Sequence, residues 1–311
     1  MDIKITNSAK KTGLCLIFFT AIISGFSIFI NSFGVKGFDS SVFTFSKNIV
    51  VALFLFAIIL GFGLKEQIRA LNKKQWLQLS EIGLIGGSIP FLLFFKGLQM
   101  TTGSTSAFIH KTIFIYITIF AIIFLKERMT KGLFIGTLLL LAGNFLMLRP
   151  DFTFSIGHIL ILIATLFWAA ENTIAKHALK DISGTIVGFG RMFFGSLFIL
   201  LFLIFTGKAP IVFSMSLAQY GWILITSILL LLYVFSYYNG LRHIKLTTAA
   251  CILTLGSPIT LILSWVFKGS SLTIAQAFGI LLIFGGILSI ILYSNIGFHY
   301  LEKEKYPQSL K

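Results

Sequence analysis

Phe95-Lys96-Gly97-Leu98-Gln99 opens a stretch that runs to Gly143-Asn144, and the chain carries the same pattern a second time. Gly97-Leu98 recurs as Gly240-Leu241 and Ser104-Thr105-Ser106-Ala107 as Thr247-Thr248-Ala249-Ala250; Thr130, Gly136 and Gly143 recur as Thr273, Gly279 and Gly286, all at an offset of 143. Closer to the N-terminus an offset of 144 aligns Gly13 with Gly157, Lys36 with Lys180, Phe45 with Phe189 and Lys47 with Arg191, so one residue is lost in the loop after position 64. Self-similarity at a fixed period marks two copies of one structural unit.

The solvent of that unit follows from composition. Of 311 residues, 57% are hydrophobic and only 11% charged, against about 25% charged in soluble domains. Runs of about 20 apolar residues cross the hydrocarbon core of a bilayer. Ten such runs stand at roughly 12–32, 40–63, 76–99, 103–125, 132–149, 155–176, 183–206, 217–240, 246–267 and 273–294. The chain therefore reads as an all-α integral membrane protein of ten transmembrane helices. Its parts are an N-terminal tail (1–11), a first five-helix repeat (12–149), a linker (150–154), a second repeat (155–294) and a C-terminal tail (295–311).

A net charge of +15 raises the question of nucleic acid, but the basic residues sit in short loops between spans and form no patch of a soluble domain. With the N-terminus in the cytoplasm, 17 Lys and Arg fall on the inner side and 4 (Lys36, Arg149, Lys208, Lys268) on the outer. That asymmetry is the positive-inside pattern for two cytoplasmic termini in a cell (inner) membrane. Lys10-Lys11 and the apolar run after them read as a retained first helix, since the run passes 15 residues without a small-residue cleavage site. Cys15 and Cys251 read as small buried hydrophobes.

Five spans per unit is an odd number, so the second unit enters the membrane from the opposite side. Inverted repeats are the build of many secondary transporters, with the solute site near the midplane where the units face each other. Ionisable groups at membrane depth cost a few kcal/mol on insertion scales and normally turn inward. Here they are Lys47, Glu81, Lys96, Lys111, Glu171 and Arg191, with His110 as a titratable addition. Basic residues outnumber acidic ones, which favours an anionic or carboxylate-bearing solute.

Lys47 has no acidic residue at a matching depth; neighbours on a helix point about 100° apart, so one of His110 and Lys111 faces the pathway, and Lys111 is preferred because an unpaired lysine facing lipid costs more. Glu171 and Arg191 differ in depth by about 6 Å, close enough for a structural ion pair. Glu81 lies near the inner end of its span and Lys96 near the outer end of the same one; His110, Glu81 and Glu171 are the groups that could each carry a coupling proton. Trp168, Asn172 and Tyr238 stand beside polar groups and are expected to shape a pocket. Pro90 and Pro258 lack a backbone donor, so spans three and nine should open locally and permit gating. Gly136, Gly143, Gly279 and Gly286 read as packing positions. No metal-ligand spacing, phosphate-cradling glycine loop or catalytic triad stands out, so neither a cofactor nor an enzyme activity is expected.

These features resemble the drug/metabolite transporter superfamily, specifically EamA-type proteins, over about residues 12–294. Phe45-Ser46-Lys47 and Phe189-Gly190-Arg191 match the aromatic start and basic residue of that family's second helix. Lys96-Gly97-Leu98 through Ala107 and Asn239-Gly240-Leu241 through Ala250 are similar to its third-to-fourth helix junction. Leu125-Lys126-Glu127-Arg128-Met129-Thr130 matches the motif that closes its fourth helix. The copies differ where Ser270 stands for Glu127, Ser24 for Trp168 and Ile115 for Pro258. The resemblance implies a metabolite carrier, often an exporter of amino acids or related small organic solutes, with a homodimer left open. The reading from another class is a non-transporting membrane scaffold or an enzyme acting on lipid.

Overall fold

The structure is a computed structural model that describes residues 7–34, 37–101, 103–150 and 155–305, with side chains described as far as 292. Lys4, Lys36, Lys311 and most of the linker (151–154) lie outside the described residues. Among the described residues ten helices are long and apolar enough to cross a membrane: Asn7–Phe33, Ser40–Gly61, Lys73–Leu98, Ser104–Leu125, Lys131–Leu148, Ile156–Ala178, Gly184–Phe205, Leu217–Leu241, Leu246–Lys268 and Ile274–Leu292. They are called spans one to ten below. An even count leaves both termini at one end of the bundle, here the near end; the opposite end is the far end.

Polar residues at the ends of the apolar runs set where helices begin. Asp39 accepts the Ser41 and Val42 N–H groups at 2.9 and 3.3 Å to start span two. Asn72 with Gln75 and Ser216 with Gln219 form capping boxes at the starts of spans three and eight. Such caps satisfy N–H groups that a helix leaves without partners in its first turn. Span four ends at Lys126 with φ 57°, and span nine ends at Gly269 with φ 66°. The two residues correspond at the repeat offset of 143, so one turn is built twice from different residues. Span one begins at Asn7 rather than 12, taking Lys10-Lys11 into the helix.

The inversion is visible in matched contacts. A Cβ added at Gly13 of span one would lie 3.0 Å from Gly240 O of span eight, and one added at Gly157 of span six would lie 2.7 Å from Gly97 O of span three. Gly13 and Gly157 are repeat mates, as are Gly97 and Gly240. One close crossing is thus made at both ends of the molecule. Spans five and ten pack on each other to one side, where Cβ atoms at Gly136 and Gly143 would stand 2.7 Å from Gly286 O and 2.8 Å from Gly279 O. In lipid, helices associate through close van der Waals packing, for which small residues clear the way. Large apolar side chains such as Leu53, Phe124, Phe134 and Leu281 remain exposed on the outside, as a lipid-facing surface requires. Cys251 is buried but Cys15 is exposed, because its position on span one faces away from the neighbouring helices.

Candidate functional site

Pro90 withholds the N–H that would bond Gly86 O four residues earlier. Span three divides there into Lys73–Gly87 and Ile89–Leu98, with Ser88 between them at φ −134°, ψ −74°. Phe91 N turns to Ser88 O at 3.1 Å, which frees the Gly87 carbonyl as well. Backbone groups at membrane depth must find partners inside the protein, and three side chains supply them. Trp168 Nε1 and Arg191 Nη2 donate to Gly86 O at 3.1 and 3.2 Å, and Asn48 Nδ2 donates to Gly87 O at 3.0 Å. The expected opening at Pro90 is thereby the anchor for spans two, six and seven.

These helices come close because glycine leaves room. A Cβ at Gly86 would fall 2.1 Å from Glu171 Cγ, and one at Gly87 would fall 2.5 Å from Arg191 O. Span nine is interrupted by a 3₁₀ turn at Leu253–Leu255, with Pro258 in the first turn of the helix that follows, Gly256–Lys268. Span four is interrupted at Thr112, between Gly103–Lys111 and Ile113–Leu125, without a proline. Thr112 and Leu255 are repeat mates. In both spans a threonine hydroxyl takes a carbonyl three residues back at 2.6 Å, Thr112 to Ile109 and Thr254 to Cys251, diverting it from the helical ladder.

Between the two units lies a cavity of about 560 Å³, lined from spans one to four and six to nine. Among the described residues its charged lining is Lys47, Lys111 and Arg191, with neither Asp nor Glu. Lys47 Nζ lies 4.9 Å from the centre of the Phe43 ring. Arg191 Nε is 3.9 Å from Glu171 Oε1, a spacing that pairs charge without a hydrogen bond. Arg191 therefore meets Glu171 and still borders the cavity. One wall is aromatic: the Trp168 ring stands 5.2 Å from Phe91, 5.5 Å from Phe94 and 4.9 Å from His110. Tyr233 and Tyr237 stack opposite, 5.8 Å apart with planes 20° from parallel.

The cavity reaches Ser32 and Leu98 toward the far end and stops at Asn172 and Tyr237 toward the near end. There the Tyr237 hydroxyl donates to Asn172 Oδ1, and Asn172 Nδ2 donates to Trp168 O at 2.7 Å. Tyr238 Oη donates to Glu171 Oε1 at 2.5 Å. Below this floor, Lys176 Nζ donates to Leu241 O and Ile244 O at 2.6 and 2.7 Å. Glu127 accepts from Leu246 N, Thr247 N and Thr247 Oγ1 at 2.8, 3.2 and 2.6 Å, so the residue that closes span four also caps span nine. At the far end Lys208 Nζ meets Asp39 Oδ2 at 2.6 Å, and Lys268 Nζ donates to Ser32 Oγ at 2.7 Å. Burial works to raise the Asp39 carboxyl, but the bonds from Lys208, Ser41 and Val42 outweigh it and hold the group below the usual carboxylate range.

Of the residues singled out from the sequence, Lys47, Lys111, Trp168, Asn172, Arg191 and His110 come together on this cavity. His110 and Lys111 both border it, where helix geometry favoured one of them, because the helical piece ends at Lys111 and the lining wraps its last turn. Tyr238 does not reach it: it is fully buried, turned to Glu171 behind the wall. Tyr233 and Tyr237 stand there instead. Their spacing of four residues, in register with Leu230, places them on one helical face, and that periodicity was the signal for them. Glu81 and Lys96 are exposed and off the cavity, since their positions on span three turn away from the interface between the units. Glu171 is buried with 1% exposure.

Two interlocked five-helix units of opposite orientation around a largely apolar cavity that carries three basic residues have the architecture of a membrane transporter. The sequence profile of the EamA-like transporter family matches residues 11–149 and again 155–292. The chain belongs to that family. It is 24% identical over 283 residues to the uncharacterized transporter YyaM of Bacillus subtilis (strain 168), covering 86% of this chain and 92% of that one. A solved crystal structure, titled only as that of a protein, shares the fold with a TM-score of 0.73 at 17% identity, over 90% of this chain and 96% of the other.

Proposed function

We propose that the protein is a secondary carrier that moves a small carboxylate-bearing or otherwise anionic metabolite, an amino acid or organic acid, by alternating access. The observation that carries this reading is the charge of the cavity lining, three cations and no carboxylate among the described residues. Lys47 and Lys111 meet the anionic part of the solute, while Trp168, Asn172 and Tyr237 shape the space around its body. Arg191 holds the Gly86 carbonyl and Glu171, keeping spans three, six and seven together beneath the solute.

The lining extends toward the far end as far as Ser32 and Leu98, which supports entry from that side, while the Asn172–Tyr237 contact and Glu127 lie toward the near end. Because the units are inverted copies, exchanging their conformations exchanges which end is closed. The breaks beside Pro90 and before Pro258 are the places where spans three and nine bend. His110 and Glu171 are the groups at the cavity or directly behind it that can carry a proton. The distribution of Lys and Arg favours a cytoplasmic near end, and the likeness to EamA-type carriers, often exporters, supports export as the direction of transport.

The test is reconstitution of the purified protein in liposomes, with uptake and exchange of labelled amino acids and organic acids under imposed solute and proton gradients. Transport of an anionic metabolite, reduced about tenfold or more in Lys47→Ala and Lys111→Ala, is the expected result, as loss of one charged hydrogen bond implies. Absence of transport for every solute and gradient would overturn the carrier reading. Unchanged transport in both variants would remove the lysines from the site.

A further inference from the structure

The two copies of the repeat treat their cavity cations differently. In the second copy, Arg191 faces Glu171 at 3.9 Å. In the first copy the mate of Arg191 is Lys47, and the mate of Glu171 is Ser27. Lys111, whose mate is Thr254, adds a second charge on the same unit. Among the described residues neither lysine has a carboxylate within ion-pairing distance. Glu171 cannot serve them, since its oxygens are engaged by Tyr238 Oη and Asn172 Nδ2 and it stands behind Arg191, outside the lining.

An ammonium group inside a membrane protein is costly unless it is paired or hydrated. With Glu171 offsetting Arg191, two positive charges remain on the walls of one cavity, both from the first unit. A solute with a single negative charge neutralises one and leaves the other bare. From this we propose that the transported solute is an organic dianion whose two negative charges are held by Lys47 and Lys111, with a planar or apolar body against Trp168, Phe94 and His110. This rests on the reading of the protein as an anion carrier and narrows it. A phosphoryl group or a pair of carboxylates supplies the two negative charges.

Binding to the detergent-solubilised protein separates these cases without requiring transport. Four probes of similar size are compared by calorimetry and thermal shift: phenylsuccinate, phenyl phosphate, 3-phenylpropionate and 3-phenylpropionamide. At least one of the two dianions should bind ten times more tightly than phenylpropionate, and the amide most weakly. The better dianion tells a dicarboxylate from a phosphate ester. Lys47→Gln and Lys111→Gln should each remove most of the advantage of the dianion, while Lys47→Arg and Lys111→Arg keep it, which separates loss of charge from loss of fold. Equal binding of phenylpropionate and both dianions, with each glutamine variant weakening all three alike, would overturn the dianion and leave a monoanion carrier standing. Binding of the amide as tight as that of the acids would overturn the anionic solute altogether. Absence of binding by all four would overturn the dianion with an aromatic body, and the liposome assay would then decide the carrier reading independently.

Discussion

Gly86 O is one backbone atom with two donors, the Trp168 indole and the Arg191 guanidinium. It connects a proline four residues further on to the placement of two cavity residues from another part of the chain. Trp168→Phe keeps a ring beside Phe94 and His110 but removes the indole donor. A net loss of about 1 kcal/mol per hydrogen bond corresponds to a fall in Tm of about 1.5 °C in a chain of 311 residues. Thermal unfolding in detergent should show that fall; an unchanged Tm would mean that the indole donor contributes nothing. The residue scale is also where the sequence was least legible. Trp168 stood out because it neighbours polar groups, whereas the same criterion selected Tyr238, which turns to Glu171 behind the wall, over Tyr233 and Tyr237, which face the cavity. Neighbours in sequence are a poor guide to direction when successive residues on a helix diverge by about 100°.

Span three owes its break to Pro90, and the consequence is testable on the span itself. Pro90→Ala restores a backbone N–H that competes with Trp168 and Arg191 for Gly86 O. A straighter, stiffer span should leave Tm unchanged or raised, since proline in a helix interior costs about 3 kcal/mol, while the initial transport rate in liposomes falls several-fold. An unchanged rate would show that the break holds side chains in place and does not gate. Spans four and nine make a further point about elements. Pro258 drew attention to span nine, yet span four breaks at the matching place with no proline. Thr112 and Thr254 each divert a carbonyl, a local competition that hydropathy does not register.

Across the whole molecule, the two units are tied at both ends by contacts of different kinds. The near end is held by Glu127 against the Leu246 and Thr247 backbone N–H groups, the far end by Asp39 with Lys208 and by Lys268 with Ser32. Asp39 lies just outside span two, and its carboxyl is held below the usual range. A depressed carboxylate contributes stability above its ordinary pKa, about 4, and that contribution is lost as pH falls through the lower folded value. Side-chain exposures of 40% for Lys208 and 25% for Asp39 keep the tie within the range of partly exposed pairs, about 0–1 kcal/mol. Acid titration of Tm should therefore show a small loss of stability below about pH 4 that is reduced in Asp39→Asn. Identical acid limbs in the two proteins would mean that this ion pair does not hold the far end.

The number of spans, their division into two copies and the inversion of the second were legible in the sequence alone. The physical reason is that hydrocarbon demands long apolar runs with internally bonded backbones. An odd number of crossings then forces the copy to enter from the other side. Packing glycines were legible too, because small residues at helical spacing have few other uses in lipid. The tertiary structure alone decided which side chains meet: the 3.9 Å between Arg191 and Glu171, the joint exposure of His110 and Lys111 to one cavity, and the positions of Tyr237 and Tyr238 on opposite sides of its wall. Those depend on how each helix is rotated about its axis and on where a freed carbonyl finds its donors. Both are settled by contacts between residues far apart in sequence, 105 positions from Arg191 to Gly86 and 169 from Lys208 to Asp39, and no periodicity within a single span records them.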